Sequence, residues 1–413
     1  MYKNIALDLV KIFNENAYLS IVLDNSIKML KLDINSKKVY TKIIYGVCEK
    51  RLLIDYNLSP LIKGKRVKPF IKNMLRIGVY VIDYMNMKDH FIVNELVKIV
   101  KKEDYNSAMF INGVLRNYQR TPKPVLDKLN DVEKISLELS LPIDLAKLLY
   151  HQYKDKLKDF FKEGSSINTY RINTLKVDVD TLCSKLKSDG IEFENDDVII
   201  QTKESLINTS YFKEGLIIAQ DVSSIKVGQV VNPIKGANVL DACSAPGGKS
   251  LHMAAIMENS GSITSCDVYE HKLNKIVDNA NKLGVKIITP LLADATSYIY
   301  KEEYDYVLAD VPCSGLGVIG HKPDLKYHIT IKDIEDINKL QKQIIRHVKD
   351  YVKDGGILVY STCTINKLEN EWLIKDFLNE HKEFVKLKEE IILPNEYQDG
   401  FYICKMRKEK IHE

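Results

Sequence analysis

From about residue 236 to the end of the chain, short β-forming runs alternate with helical ones, and few folds accommodate that pattern. ANVLDAC precedes a helical stretch after Gly248, SITSCDV precedes HKLNKIVDNANKL, which ends at Gly284, and KIITPLLAD and YDYVLADVPC follow. A long amphipathic stretch, IKDIEDINKLQKQIIRHVKDYV, then leads to Gly355-Gly356 and ILVYSTC. Parallel neighbours need a helical crossover, so this alternation predicts a mainly parallel sheet wrapped by helices. The expected unit is a Rossmann-like domain over 216–413. Ligands in such sheets sit beyond the carboxyl ends of the strands, which makes the residues at those ends the candidates for chemistry.

The first 120 or so residues have a different texture, helical in period and poor in Gly and Pro. FIVNELVKIVKK places Ile92, Leu96, Ile99 and Val100 on one stripe, and MFINGVLRNYQR does the same with Ile111, Val114, Leu115 and Tyr118. YTKIIYGVCEKRLLIDYNL and IKNMLRIGVYVIDYM repeat the spacing, so an all-helical bundle is expected over 1–125, closed by Thr121-Pro122-Lys123-Pro124. Between the two lies 126–215. There LPIDLAKLLYHQYKDKLKDFF reads as helical, and NTYRINTLKVDVDTLCSKLKSDGIEF reads as strand, helix, Gly-terminated turn and strand. The fold class is therefore multidomain, α plus α/β: helical bundle, small α/β linker domain, Rossmann-like domain.

A net charge of +4 suits a nucleic-acid partner without requiring one. The seven cysteines are scattered, and none has zinc-ligand spacing, so no metal is expected. The opening MYKNIALDLVKIFNENAY carries early acids and does not read as a signal peptide, and no apolar run approaches the ~20 residues that span a bilayer. These features suggest a cytoplasmic monomer with free thiols and no membrane partner.

The first strand end is Asp241-Ala242-Cys243-Ser244-Ala245-Pro246-Gly247-Gly248-Lys249-Ser250. Small residues and two glycines let the backbone turn sharply and approach a ligand closely. GGKS resembles the tail of a phosphate-binding loop, but such a loop needs Gly where Cys243 stands, and the G-x-G-x-x-G spacing is absent too. A nucleoside without a phosphate chain fits better. Asp267 ends the next strand, where an acid can bind ribose hydroxyls, and Asp294 ends the third, within reach of an adenine amino group. Either acid alone reads as a helix cap; acids at successive strand ends after a Gly-rich turn point to a nucleoside cofactor.

The fourth strand ends Ala309-Asp310-Val311-Pro312-Cys313-Ser314-Gly315 and the fifth Tyr360-Ser361-Thr362-Cys363-Thr364. An isolated cysteine is most often a small buried hydrophobe, yet these two are expected at neighbouring strand ends beside Asp310. Thiols serve a methyltransferase whose target is a poorly nucleophilic carbon. A thiolate adding to C6 of cytosine makes C5 an enamine-like carbon able to attack a sulfonium methyl group. Loss of the C5 proton then expels the thiolate, with help from a base or a second thiol. Asp310 held near N3 would stabilise the protonated ring.

DACSAPGGKS, DVPCSG and STCT closely resemble the motifs of the NOL1/NOP2/Sun family of RNA cytosine-C5 methyltransferases. The N-terminal run with YTKIIYGV, LRIGVYVIDYM, FIVNELV and FINGVLR resembles a NusB-type RNA-binding domain. RINTLK at 171–176, AQDVSS at 219–224, ENE at 369–371 and DGFYICKMRK at 399–408 sit where the family carries related stretches. The resemblance implies that Cys243, Ser244, Ala245, Pro246, Gly247, Gly248, Lys249, Asp267, Asp294 and Asp310 bind S-adenosylmethionine. It further implies that Cys363 forms the covalent adduct, that Cys313 promotes its release, and that the substrate is a cytosine in a 16S ribosomal RNA hairpin loop. The chain departs from the family after Gly317-Val318-Ile319, where Gly320 and His321 replace two arginines. If those arginines grip RNA phosphates, this chain is expected to grip more weakly there or to use Lys322 and Lys326.

A second basic stretch, LIKGKRVKPFIKNMLR, gathers Lys63, Lys65, Arg66, Lys68, Lys72 and Arg76 as candidates for RNA phosphates. A cytosine-C5 enzyme must also take its base out of any stack. Other readings are the same chemistry on another ribosomal or transfer RNA cytosine, a non-catalytic NusB-type RNA-binding or antitermination factor, and a nucleotide hydrolase using GGKS. The non-catalytic reading predicts loss of the thiols or of the Gly-rich turn. The hydrolase needs a glycine at 243.

Overall fold

The computed structural model describes residues 1–85, 89–160 and 167–410, which form two compact units. Met1–Lys158 and Lys322–Ile331 make one; Asp159–His321 and Lys332–Glu413 make the other.

Seven helices build most of the first unit: Tyr2–Asn14, Leu19–Leu30, Ile34–Glu49, Arg51–Ile62, Pro69–Tyr84, Asp89–Lys101 and Tyr105–Arg120. The expected stripes face inward. Ile92, Leu96, Val100, Ile111, Val114, Leu115 and Tyr118 are buried with Ile5, Leu9, Ile44 and Val79, while Ile99 stays at the rim. Local chemistry sets some helix starts: the Asp33 carboxylate accepts from the N–H groups of Asn35 and Ser36, and Pro69 opens its helix at a position where no donor is needed.

The expected 126–215 domain is divided between the units. Helices Asp131–Glu138 and Ile143–Tyr153 belong with the first, and the strands that follow belong with the second. Segment 322–331, late in the sequence, also folds into the first unit. Asp324 accepts from the Leu19 N–H at 2.9 Å, and the Tyr327 hydroxyl donates to the Cys48 carbonyl at 2.9 Å. Lys326 Nζ donates to the Glu49 and Leu139 carbonyls, each at 3.0 Å, where two helices end and their carbonyls lack partners. Its side chain is enclosed, and burial pushes the ammonium down to about 7. Lys326 is therefore unavailable to RNA, contrary to the expectation from the missing arginines; Lys322 stays exposed.

In the second unit a small antiparallel sheet has the order β2-β3-β1-β4, with β1 Asn168–Ile172, β2 Glu194–Asp196, β3 Ile199–Thr202 and β4 Ile217–Ala219. Helix Val179–Ser188 contributes Leu182 and Leu186 to its core, alongside Tyr170 and Ile200.

The larger sheet contains β5 Asn238–Asp241, β6 Ser262–Asp267, β7 Ile288–Leu292, β8 Tyr304–Asp310, β9 Val352–Thr362, β10 Phe384–Ile392 and β11 Phe401–Lys408, in the order β10-β11-β9-β8-β5-β6-β7. Strands β5 to β9 run parallel, and β10–β11 adds an antiparallel hairpin beside β9. From β5 the chain proceeds outward through β6 and β7, then returns to β8 on the other flank. That reversal opens a crevice over the carboxyl ends of β5 and β8.

Candidate active site

Asp310 ends β8 and faces Ser361 of β9 in register. The Ser361 hydroxyl donates to Asp310 Oδ1 at 2.6 Å, and Lys249 Nζ lies 2.6 Å from Oδ2. Just beyond these ends, Cys313 Sγ and Cys363 Sγ are 3.2 Å apart, both half-buried. Their hydrogen bond, then burial and the charge of Cys363, push the Cys313 thiol well above its ordinary range. Burial alone would lower the Lys249 ammonium, but the charge and hydrogen bond of Asp310, followed by Cys363, outweigh it and hold the group cationic. A fixed cation thus stands beside the thiol pair, the surrounding that favours a thiolate.

Backbone contacts lock the two thiol loops. Gly317 N donates to the Cys363 carbonyl at 3.1 Å, and Gly400 N donates to the Gly317 carbonyl at 2.9 Å. A Cβ on Gly317 would stand 2.1 Å from Gly400 O, so only glycine fits there. At the end of the same loop, His321 Nδ1 lies 2.7 Å from Asp399 Oδ1.

On the other side of the crevice the Gly-rich turn is held by its own backbone. Ser244 N and Oγ both donate to the Cys266 carbonyl, at 2.8 and 3.1 Å, and Gly247 N returns to Ser244 O at 2.7 Å. Gly247 has φ of 99°, a conformation that a side chain would strain, and it introduces the helix Gly248–Ile256. Cys243 is half-buried beneath the turn, Ala245–Pro246 is a cis peptide, and Lys249 turns away toward Asp310.

Asp267 ends β6, and Asp294 lies two residues beyond the end of β7. Each uses Oδ1 to cap its own loop: Asp267 accepts from Tyr269 N at 3.0 Å, and Asp294 from Thr296 N and Oγ1 at 2.8 and 2.7 Å. The Thr296 bonds hold the Asp294 carboxyl below its usual range. Exposed Val268 directly follows Asp267, and exposed Leu292 stands two residues before Asp294. A glycine-formed turn, two strand-end acids and adjacent apolar surface suit an adenosyl group.

Sequence reasoning missed three participants. Asp241 lies inside the quoted motif but carries no sign of its burial, which pushes its carboxyl up to about 7 against a Ser250 hydrogen bond of 2.6 Å. Ser361 stands two residues before Cys363 and so on the same strand face, a signal that was present. Glu369, fully buried, accepts from Ser314 beside Cys313. The basic stretch separates in two. Lys63, Lys65, Arg66 and Lys68 are exposed, whereas Arg76 is enclosed and donates twice to Asp55, at 2.8 and 2.6 Å, with Lys72 also on Asp55 at 3.2 Å.

A helical bundle in one unit, and in the other a doubly wound sheet with a Gly-rich turn at its reversal, define a multidomain α plus α/β protein of the nucleoside-binding type. Residues 228–407 match the family described as 16S rRNA methyltransferase RsmB/F, and residues 3–120 match the NusB family. The probable ribosomal RNA small subunit methyltransferase B of Bacillus subtilis (strain 168) is 35% identical over 98% of this chain and 98% of its own. Its counterpart in Synechocystis sp. (strain ATCC 27184 / PCC 6803 / Kazusa) is 29% identical over 95% and 96%. The crystal structure of PH0851 superposes with a TM-score of 0.81 at 27% identity, over 99% of both chains. The chain belongs to the ribosomal RNA small subunit methyltransferase B family. Membership implies use of S-adenosylmethionine, which the turn and its flanking acids fit. Among the described residues no helix is long and apolar enough to cross a membrane.

Proposed function

We propose that this chain methylates C5 of one cytosine in 16S ribosomal RNA, with Cys363 as nucleophile and Cys313 as the thiol that promotes release. The observation that carries this reading is the 3.2 Å approach of the two sulfurs beside the Lys249–Asp310 pair. Methylation at oxygen or at an exocyclic nitrogen has no use for two thiols.

When bound, S-adenosylmethionine supplies an electrophilic methyl group; Cys243 to Gly248, Asp267, Asp294 and Asp310 are the residues assigned to its side of the crevice, while Lys249 is held at Asp310. The Cys363 thiolate, favoured by the nearby Lys249 cation, adds to C6 and pushes electron density to C5. The Asp310 carboxylate, held by Ser361 and Lys249, stabilises the positive charge that arises as N3 takes up a proton from water. Once C5 carries the new group, its proton passes to water, the electron pair of that C–H bond restores the C5–C6 double bond, N3 gives back its proton, and the C6–S bond breaks with its electron pair on the Cys363 sulfur. The departing sulfur emerges next to Cys313. Exposed Lys63, Lys65, Arg66 and Lys68 neutralise RNA phosphates without reading sequence.

Bisulfite sequencing of ribosomal and transfer RNA from cells with and without the protein tests the assignment. Loss of one protected cytosine in 16S ribosomal RNA is the expected result. An unchanged pattern refutes the reading, and loss at another RNA moves the substrate while retaining the chemistry.

A further inference from the structure

Glu369 is shut off from solvent next to both thiol loops. A buried carboxylate is costly unless donors fill its lone pairs, and four donors do so here. Oε2 accepts from Ser314 N at 2.8 Å and Gln341 Nε2 at 3.0 Å; Oε1 accepts from Ser314 Oγ at 2.5 Å and Asn366 Nδ2 at 3.0 Å. Burial pushes the carboxyl up, and the Ser314 bonds, then those of Asn366 and Gln341, pull it back.

The bonds run between the loops in one direction. Asn366 N donates to Thr364 Oγ1 at 3.2 Å, the Thr364 hydroxyl lies 2.8 Å from Ser314 Oγ, and the Ser314 hydroxyl is then free to donate to Glu369. Ser314 directly follows Cys313, and Thr364 directly follows Cys363. The Glu369 carbonyl is itself fastened to β9 by the Tyr360 hydroxyl at 2.7 Å, and Gln341 Nε2 also reaches the Pro312 carbonyl at 2.9 Å. Among the influences on the Cys313 thiol, after the Cys363 bond, burial and the Cys363 charge, the negative charge of Glu369 acts in the same upward direction.

We propose that Glu369 is a positioning residue for the reaction, its bonds to Ser314, Asn366 and Gln341 fixing the separation of the Cys313 and Cys363 sulfurs and placing its carboxylate on the Cys313 side of the pair. The inference rests on reading these thiols as the catalytic pair. It adds what decides their order: the thiol beside the carboxylate stays protonated, and the thiol beside Lys249 becomes the nucleophile.

The test treats the full-length protein with dibromobimane, which bridges two nearby thiols, and locates the products by peptide mass spectrometry. A parallel series follows single alkylation of Cys313 against pH. Glu369→Gln removes the charge with little change of shape, and Ser314→Ala removes one hydroxyl while leaving the charge. Both variants are expected to lower the bridged Cys313–Cys363 fraction by roughly threefold or more. Only Glu369→Gln is expected to move the Cys313 midpoint, downward by about one pH unit, whereas Glu369→Asp keeps it in place. A purely structural role would not shift that midpoint. Should Glu369→Gln fail to fold, the bridged fraction in Ser314→Ala still decides the positioning: its loss supports the inference and wild-type bridging overturns it. Wild-type bridging in every variant and an unmoved midpoint overturn the inference and leave the cytosine reading standing. Methylation by Cys363→Ala overturns that reading instead.

Discussion

Lys249 Nζ and Asp310 Oδ2 lie 2.6 Å apart, joining the first turn of the helix after the Gly-rich motif to the end of β8. The lysine that looks from sequence like part of the cofactor turn is spent on the acid beside the thiols. In the proposed reaction it ties the cofactor side of the crevice to the pyrimidine side.

Lys249→Met is therefore expected to reduce methyl transfer by about a hundredfold or more, the scale of losing a preorganised charge partner at a reacting group. Cofactor affinity is expected to change by less than about threefold. Single-turnover methyl incorporation and titration calorimetry with S-adenosylmethionine check the two parts separately.

Asp241 gives a pH signature of stability. Its folded-state carboxyl sits at about 7, above the 3.8 of an unperturbed one, so folding favours the protonated form. Its contribution is fully present below about pH 4 and is lost as pH rises through about 7, a cost on the order of 4 kcal/mol above that point. Asp241→Asn removes the titration. Thermal melts are expected to show the variant gaining stability relative to wild type between pH 5 and pH 8, and a constant difference across that window would refute the assignment.

The basic stretch divides into surface and core, and the two halves are expected to fail differently. Lys65→Glu with Arg66→Glu weakens RNA binding across sequences and flattens its salt dependence while leaving the melting temperature in place. Arg76→Ala leaves Asp55 without its main partner and costs roughly 3 kcal/mol of stability. Filter binding at several salt concentrations and chemical denaturation separate the two effects.

What the sequence shows follows from which patterns are local. Alternation of β and helical runs places Asp310, Cys313 and Cys363 at strand ends, and the helical stripe places Leu96 and Leu115 in a core. Lys326 and Arg76 look like surface cations because their partners are remote: the carbonyls of Glu49 and Leu139, and the carboxylate of Asp55. Nothing near position 326 in the sequence announces that 322–331 folds with the N-terminal helices. Glu369 is likewise visible only as part of ENE, since its partners Ser314 and Gln341 lie far back in the chain. The closing hairpin of β10 and β11 is antiparallel, so the β/α rhythm that predicts the other five strands stops before it.

Covalent capture reads the thiol chemistry most directly. Cys313→Ala protein is mixed with a labelled 16S ribosomal RNA fragment and S-adenosylmethionine and run on a denaturing gel. A retarded, protease-sensitive band is expected, absent when Cys363 is also replaced by Ala. No such band, together with full methylation by the Cys363→Ala protein, would contradict the roles given to the two sulfurs.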